Sequence, residues 1–166
     1  MAIPALEAAM LKKLLTVLFA FFCTGAAACE QQEFFPKATH ESAVETITSV
    51  FPKLQRVSCI KLFTEMRRCS YEQGDIHFSI RFCENRINGV SNIEVKFPTL
   101  KDLPNAVAAA VVAAKISDPE EAEISKYLGA FLYNLPLPKQ PKNVDVEFRV
   151  STFSYTMSLD PKKSQQ

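Results

Sequence analysis

Three stretches of this chain alternate apolar and polar residues, and this period constrains the fold more than any other feature. They run from Ile76 to Cys83, from Ile93 to Phe97 and from Val144 to Val150. A period of two residues places the apolar side chains on one face of a strand and the polar ones on the other. Strands of this kind indicate an antiparallel sheet with one side facing water.

Turn-forming residues place further strands beside these three. Residues 72–75 precede the first stretch and include Gly74, so Arg67–Tyr71 is expected to pair back as the other arm of a hairpin. Asn88-Gly89 marks the turn between the first and second stretches. The period of Val57–Phe63 is ambiguous, and we predict a strand there. The sequence therefore predicts four or five strands.

Beyond Val150 the apolar positions move into the odd register, at Phe153, Tyr155 and Met157. A strand cannot change faces without a bulge or bend, so we predict a bulge near Ser151-Thr152 within one long strand. The stripe after it is either an exposed apolar patch that binds a partner or a part of the core.

Helical patterns separate and precede the strands. Thr39 or Ser42 caps a segment that runs to about Gln55, and Ala106–Ala114 has the composition of a buried helix. Asp118 with Pro119 is typical of a third helix start. These elements predict an α+β fold in which an antiparallel sheet of four or five strands carries helices on one face.

The N-terminus has the three parts of a secretory signal. Lys12 and Lys13 precede the apolar run Leu14–Cys23, and the small residues Gly25–Ala28 follow it. A stable membrane span needs about 20 apolar residues, so this run is too short for one. Met10 is an alternative start, because a complete signal follows it.

The stretch Gly25-Ala26-Ala27-Ala28-Cys29 resembles the lipobox of bacterial lipoproteins, in which a Cys becomes the lipidated first residue. The resemblance implies lipidation of Cys29, and Glu30 after it implies the outer membrane. It departs from the family pattern at Ala26, where Leu is usual. Ala26 and Ala28 also suit ordinary signal peptidase, which would leave Cys29 as a free thiol of a soluble periplasmic or secreted protein.

The chain divides into a cleaved signal (1–28), a tether (29–39), one α+β domain (40–160) and a flexible tail (161–166). Removal of the signal leaves equal numbers of basic and acidic residues. A domain without net charge exerts no long-range electrostatic attraction on nucleic acid, so we expect no nucleic-acid partner.

Export places the remaining cysteines where disulfides persist. We favour Cys59–Cys83, with Cys69–Cys83 across the predicted hairpin as the alternative, and a free Cys29 would allow two bridges. The spacings lack the close cysteine pair of zinc sites, so we expect no metal.

Few residues indicate catalysis. His40 and His77 are the only histidines, and His77 merely shares a strand face with Asp75. The sequence contains no glycine-rich phosphate loop, so we expect neither an enzyme nor a cofactor. The first hairpin carries a cluster of three arginines, which either binds an acidic partner or forms a solvated face: Arg67, Arg68 and Arg81.

These features predict a non-enzymatic envelope protein that is tethered to the outer membrane through Cys29 and binds another envelope protein. The alternative is a periplasmic inhibitor or immunity-type protein that masks a toxin or hydrolase. Both hypotheses depend on export.

The export hypothesis predicts that the native chain is recovered from the cell envelope without residues 1–28. Its intact mass checks this, because a chain acylated at Cys29, a chain with unmodified Cys29 and an uncleaved chain have three different masses. A full-length chain in the cytosol would contradict export.

Overall fold

The computed structural model describes Cys29 and residues 32–84, 88–98, 103–117, 123–133, 135–152 and 154–162. Within these ranges the fold is α+β, as predicted, and one antiparallel sheet carries the helices. The elements follow the order α1 (His40–Val50), β1 (Gln55–Lys61), β2 (Met66–Gln73), β3 (Ile76–Cys83), β4 (Gly89–Pro98), α2 (Leu103–Ser117), α3 (Glu123–Leu132), β5 (Val144–Val150) and β6 (Ser154–Pro161).

The sheet has six strands in the order β1-β2-β3-β4-β6-β5, and each neighbouring pair is antiparallel. The predicted hairpin between β2 and β3 is confirmed, with Gly74 at φ 58° in its turn. Among the described strands, β1 and β5 are therefore the two edge strands of the sheet.

The strand count exceeds the predicted four or five because β5 and β6 are two strands. Val150 lies opposite Tyr155, and Phe148 lies opposite Met157. Opposite residues share a face, so the change of register marks a hairpin turn and corrects the predicted bulge. Ser151 stabilises this turn, since its N–H donates to the Ser154 carbonyl at 2.9 Å and its Oγ accepts from the Ser154 N–H at 3.1 Å.

One face of the sheet, here called the inner face, is covered by helices. Its fully buried side chains include Phe78, Ile80, Ile93 and Val95, and they share a core with Ile47 of α1. The outer face carries the polar alternates of the same strands, such as His77, Ser79, Glu94 and Lys96. The period-2 pattern thus sets which face meets the helices.

The start of α1 and the packing of α2 are as their sequences indicate. Thr39 caps α1, since its Oγ1 accepts the Ser42 N–H at 3.1 Å and the Ser42 Oγ accepts the Thr39 N–H at 3.0 Å. α1 ends at Val50, earlier than predicted. Ala109, Ala110 and Ala113 of α2 are buried, because small side chains let a helix approach the sheet closely. The predicted cap of the third helix, Asp118 with Pro119, lies outside the described residues.

Among the described residues, no helix combines the length and the apolar character needed to cross a membrane.

The segment before α1, predicted as a tether, packs against the domain. Phe35 and Ala38 are buried. The Phe35 N–H donates to the Val90 carbonyl at 2.9 Å, and the Val90 N–H donates to the Ala38 carbonyl at 3.0 Å. The folded unit therefore starts before residue 40, because an aromatic anchor and two main-chain bonds fix this segment to β4.

At the other end of the chain, β6 extends to Pro161, and the Lys162 N–H donates to the Asn143 carbonyl at 2.9 Å. Of the predicted flexible tail, residues 163–166 lie outside the described residues. The first two residues of the predicted tail, 161 and 162, are therefore bonded to the folded domain.

Replacing Phe78 with Ala is expected to destabilise the fold by about 3–5 kcal/mol, because the side chain is fully buried and packs edge-on against Phe51 at 5.4 Å. Urea unfolding with the disulfides intact measures this. The neighbouring outer-face change Ser79→Ala is expected to stay within about 0.5 kcal/mol of the parent. Equal losses would contradict the assignment of the two faces.

Candidate binding site at the β1 edge

The edge strand β1 is the most exposed part of the described sheet. All seven of its residues are solvent-exposed. The exposed fraction is 57% for Val57, 45% for Ile60 and 60% for Phe63, which follows the strand. An exposed edge strand presents unpaired N–H and C=O groups to which another chain can pair. Apolar side chains on such an edge favour a protein partner.

A disulfide fixes β1 to its neighbour. Cys59 lies directly opposite Cys69 in the ladder, with the two Cα atoms 4.0 Å apart. The second disulfide joins Cys29 to Cys83. Both pairs differ from the expected Cys59–Cys83 and Cys69–Cys83, because Cys83 lies at the end of β3, opposite Met66 and away from Cys59.

A groove with a volume of about 760 Å³ runs along the inner side of β1. β1 contributes Arg56 and Val57 to its wall, and the start of α1 contributes His40 and Glu41. The Cys59–Cys69 pair and Phe82 also line it. We call β1 and this cavity together the edge groove.

Most of the charged groups in the edge groove have partners inside it. The Nε atom of Arg67 lies 2.5 Å from Oε1 of Glu84. The Glu41 Oε1 accepts from Nδ2 of Asn88 at 2.6 Å. Among the described residues, Arg56 lies within ion-pairing distance of no carboxylate. Its positive charge is therefore available to a ligand.

His40 ties the start of α1 to the sheet. Its Nε2 lies 2.6 Å from the Tyr71 hydroxyl, and its ring stacks on Phe82 at 4.0 Å. Burial lowers the pKa of His40 below its ordinary value of 6.5, and the charge of Arg56 adds to this lowering, whereas Glu41 opposes it. Burial also raises the pKa of Tyr71. The neutral imidazole of His40 and the protonated phenol of Tyr71 form one hydrogen bond, which fixes the start of α1 as a wall of the groove.

The described residues contain no assembled set of nucleophile, base and orienting acid. His77 lies on the outer face, where its Nδ1 is 3.4 Å from Oε2 of Glu72 on the neighbouring strand, and both side chains are largely exposed. Cys69 is disulfide-bonded. Cys29, Glu65 and Cys83 place potential metal ligands together, but the two sulfurs are bonded to each other.

The three arginines proposed as a cluster lie on two faces. Arg67 lines the edge groove, whereas Arg68 lies opposite Arg81 on the outer face, where the Nε of Arg81 is buried without a hydrogen-bond partner. Neighbouring residues in a strand point to opposite sides, so these three side chains form no single surface.

The odd-register stripe belongs to the core, the second of its two predicted interpretations. Met157 is fully buried, and Tyr155 is partly buried against Phe97 and Phe131. Phe153 lies outside the described residues. The hairpin turn returns this face to the helices, so Tyr155 and Met157 form no exposed patch.

Sequence reasoning missed the edge groove. The one local signal was the ambiguous period of Val57–Phe63, whose apolar residues fit a helical period and fit the alternation of a one-sided strand only loosely. Apolar residues without a consistent face suit a strand that the fold leaves uncovered.

No protein-family model matches this chain, and no curated protein or solved structure matches it either.

Lowering the pH is expected to reduce the free energy of unfolding of the native protein by more than it reduces that of a His40→Gln variant. The pKa of His40 is lowered in the folded state, so the unfolded chain binds the proton first as the pH falls below 6.5. The contribution to stability is complete above that value and declines below it. Urea midpoints at about pH 7.5 and about pH 5.5 measure the difference.

The matched variant His77→Gln keeps His40 and is expected to keep the pH dependence. An unchanged slope in His40→Gln would contradict the role of the buried imidazole.

Proposed function

We propose that this chain is an exported, non-enzymatic protein of the bacterial cell envelope that binds an extended segment of another protein along β1. The observation that carries the proposal is the edge groove, in which an uncovered strand with exposed apolar residues borders a cavity. The signal-like N-terminus supports export, and the two disulfides suit an oxidising compartment.

An extended partner segment adds to an exposed sheet edge as a further strand. Its main chain supplies hydrogen bonds, and pockets for alternate side chains supply specificity. Here the inner-face positions of β1 line the groove, so every second side chain of the added segment would enter it. The Cys59–Cys69 bridge holds β1 in place beforehand, which lowers the ordering cost of binding.

The charges on β1 favour an acidic partner segment. The strand carries Arg56 and Lys61 and no acidic residue. Among the described residues, neither side chain forms an ion pair. Carboxylates on the partner would complement both charges. A second copy of β1 would instead place two strands side by side whose charged residues are all basic, which is unfavourable. A different protein is therefore the proposed occupant.

Attachment to the outer membrane through a lipid on Cys29 is one form of this proposal, and a soluble periplasmic protein is the other. In either form the edge groove does the binding. The masking of a toxin or hydrolase uses the same edge, so the identity of the captured protein separates an accessory role from an inhibitory one.

Reversing both charges, in Arg56→Glu with Lys61→Glu, is expected to weaken partner binding roughly tenfold, because each change replaces an attraction with a repulsion at a solvent-exposed site. Mild crosslinking in intact cells, purification and mapping of the crosslinked peptides measure the capture. The matched variant Lys96→Glu reverses an exposed charge on the outer face and is expected to capture the same partner in full.

Support requires that the captured protein is lost with the double variant, is kept with Lys96→Glu, and crosslinks to β1 or the groove wall. Crosslinks confined to the outer face, or equal losses in both variants, contradict the proposal. A mass in solution twice that of one chain, lost with the double variant, would show that a second copy occupies the edge.

A further inference from the structure

We infer that Cys29 is a structural cysteine, bridged to Cys83, and that the exported chain therefore carries no lipid at this position. The inference rests on the proposed export and decides between its two forms. It assigns to Cys29 a modification that excludes the one implied by the lipobox resemblance.

Cys29 and Cys83 meet at a corner of the sheet. Their Cα atoms are 6.1 Å apart, and the bridge spans a sequence separation of 54 residues. Cys83 pairs with Met66 at the end of the β2–β3 ladder. With Cys29 they form a small apolar cluster, separate from the main core, onto which Phe34 and Leu62 pack. Met66 is therefore covered in part by Cys29, which lies ahead of α1 in the chain.

The position of Cys29 suits a bridge and opposes lipidation. The exposed fraction of Cys29 is 1%, and Cys83 is fully buried. A lipid on Cys29 is attached through the same Sγ that forms the disulfide, so one sulfur cannot hold both. A lipidated sulfur must also leave the protein for the bilayer, which would uncover Cys83 and Met66.

The segment after Cys29 keeps the two sulfurs close. Phe35 is buried, its N–H donates to the Val90 carbonyl at 2.9 Å, and Thr39 forms a β-bridge with Gly89. Gly89 lies opposite Cys83 in the β3–β4 ladder. Since the chain is fixed this near to Cys83, only a few residues separate Cys29 from an anchored point, which favours closure of the bridge.

Formation of the Cys29–Cys83 bond requires an oxidant, which is a disulfide of another protein. The Cys29 and Cys83 thiols lose two protons and two electrons as their S–S bond forms. An oxidised protein disulfide of the envelope accepts them and becomes a dithiol. Cleavage after Ala28 by ordinary signal peptidase, for which Ala26 and Ala28 are suitable, leaves Cys29 with its thiol free for this exchange.

The test is thiol mapping of the full native chain purified from the cell envelope. It is alkylated before reduction and again after reduction, and its intact mass and digested peptides are then measured. The expected result is an unacylated chain that starts at Cys29, no alkylation before reduction, four alkylated cysteines after it, and a linked peptide that joins Cys29 to Cys83.

Two variants sharpen the result. In Cys83→Ser the Cys29 thiol is expected to react before reduction while Cys59–Cys69 stays closed. In the matched control, Cys59→Ser with Cys69→Ser, the Cys29–Cys83 peptide is expected to persist. Reaction of Cys29 in this control would contradict the bridge.

An acyl-modified Cys29 with a reactive Cys83 overturns the inference and leaves the proposed function intact. An uncleaved chain in the cytosol overturns both. The peptide map of the native chain needs no variant, so a variant that fails to fold does not remove the test.

Discussion

Burial of one sheet face under α1 and α2 is the constraint on which the rest of the structure depends. Ile47 of α1 and the small alanines of α2 share one core with the inner-face residues of β3, β4, β5 and β6. β1 is the exception, because all of its residues are exposed. The edge groove exists because the helices cover the centre of the sheet and stop short of this strand.

The local pattern predicted what depends on neighbouring residues. Alternation at Ile76–Cys83 identified β3 and its faces, and Gly74 identified the hairpin turn. The phase change after Val150 was detected but read as a bulge, since a bulge and a hairpin both shift the register. Only the pairing of Val150 with Tyr155 distinguishes them, and that pairing is a contact between strands.

The candidate site and the cysteine pairs could not be predicted because they depend on strand order. The ambiguous period of residues 57–63 suits an uncovered strand but does not place it at an edge beside β2, and nothing near Cys59 specifies that Cys69 lies opposite. The arginine cluster failed for a simpler reason. Arg67 and Arg68 are neighbours in a strand, so their side chains point to opposite faces whatever the order.

The position of the last strand has a consequence for how the protein matures. β6 lies inside the sheet, between β4 and β5, although it comes last among the described strands. Asn92 of β4 also donates to the Leu159 carbonyl at 3.3 Å and to Asp160 Oδ1 at 3.0 Å. β4 pairs with β3 on one side and therefore lacks its second neighbour until residues near 160 arrive. During synthesis the sheet therefore stays incomplete until the residues of β6 have emerged and can insert between β4 and β5.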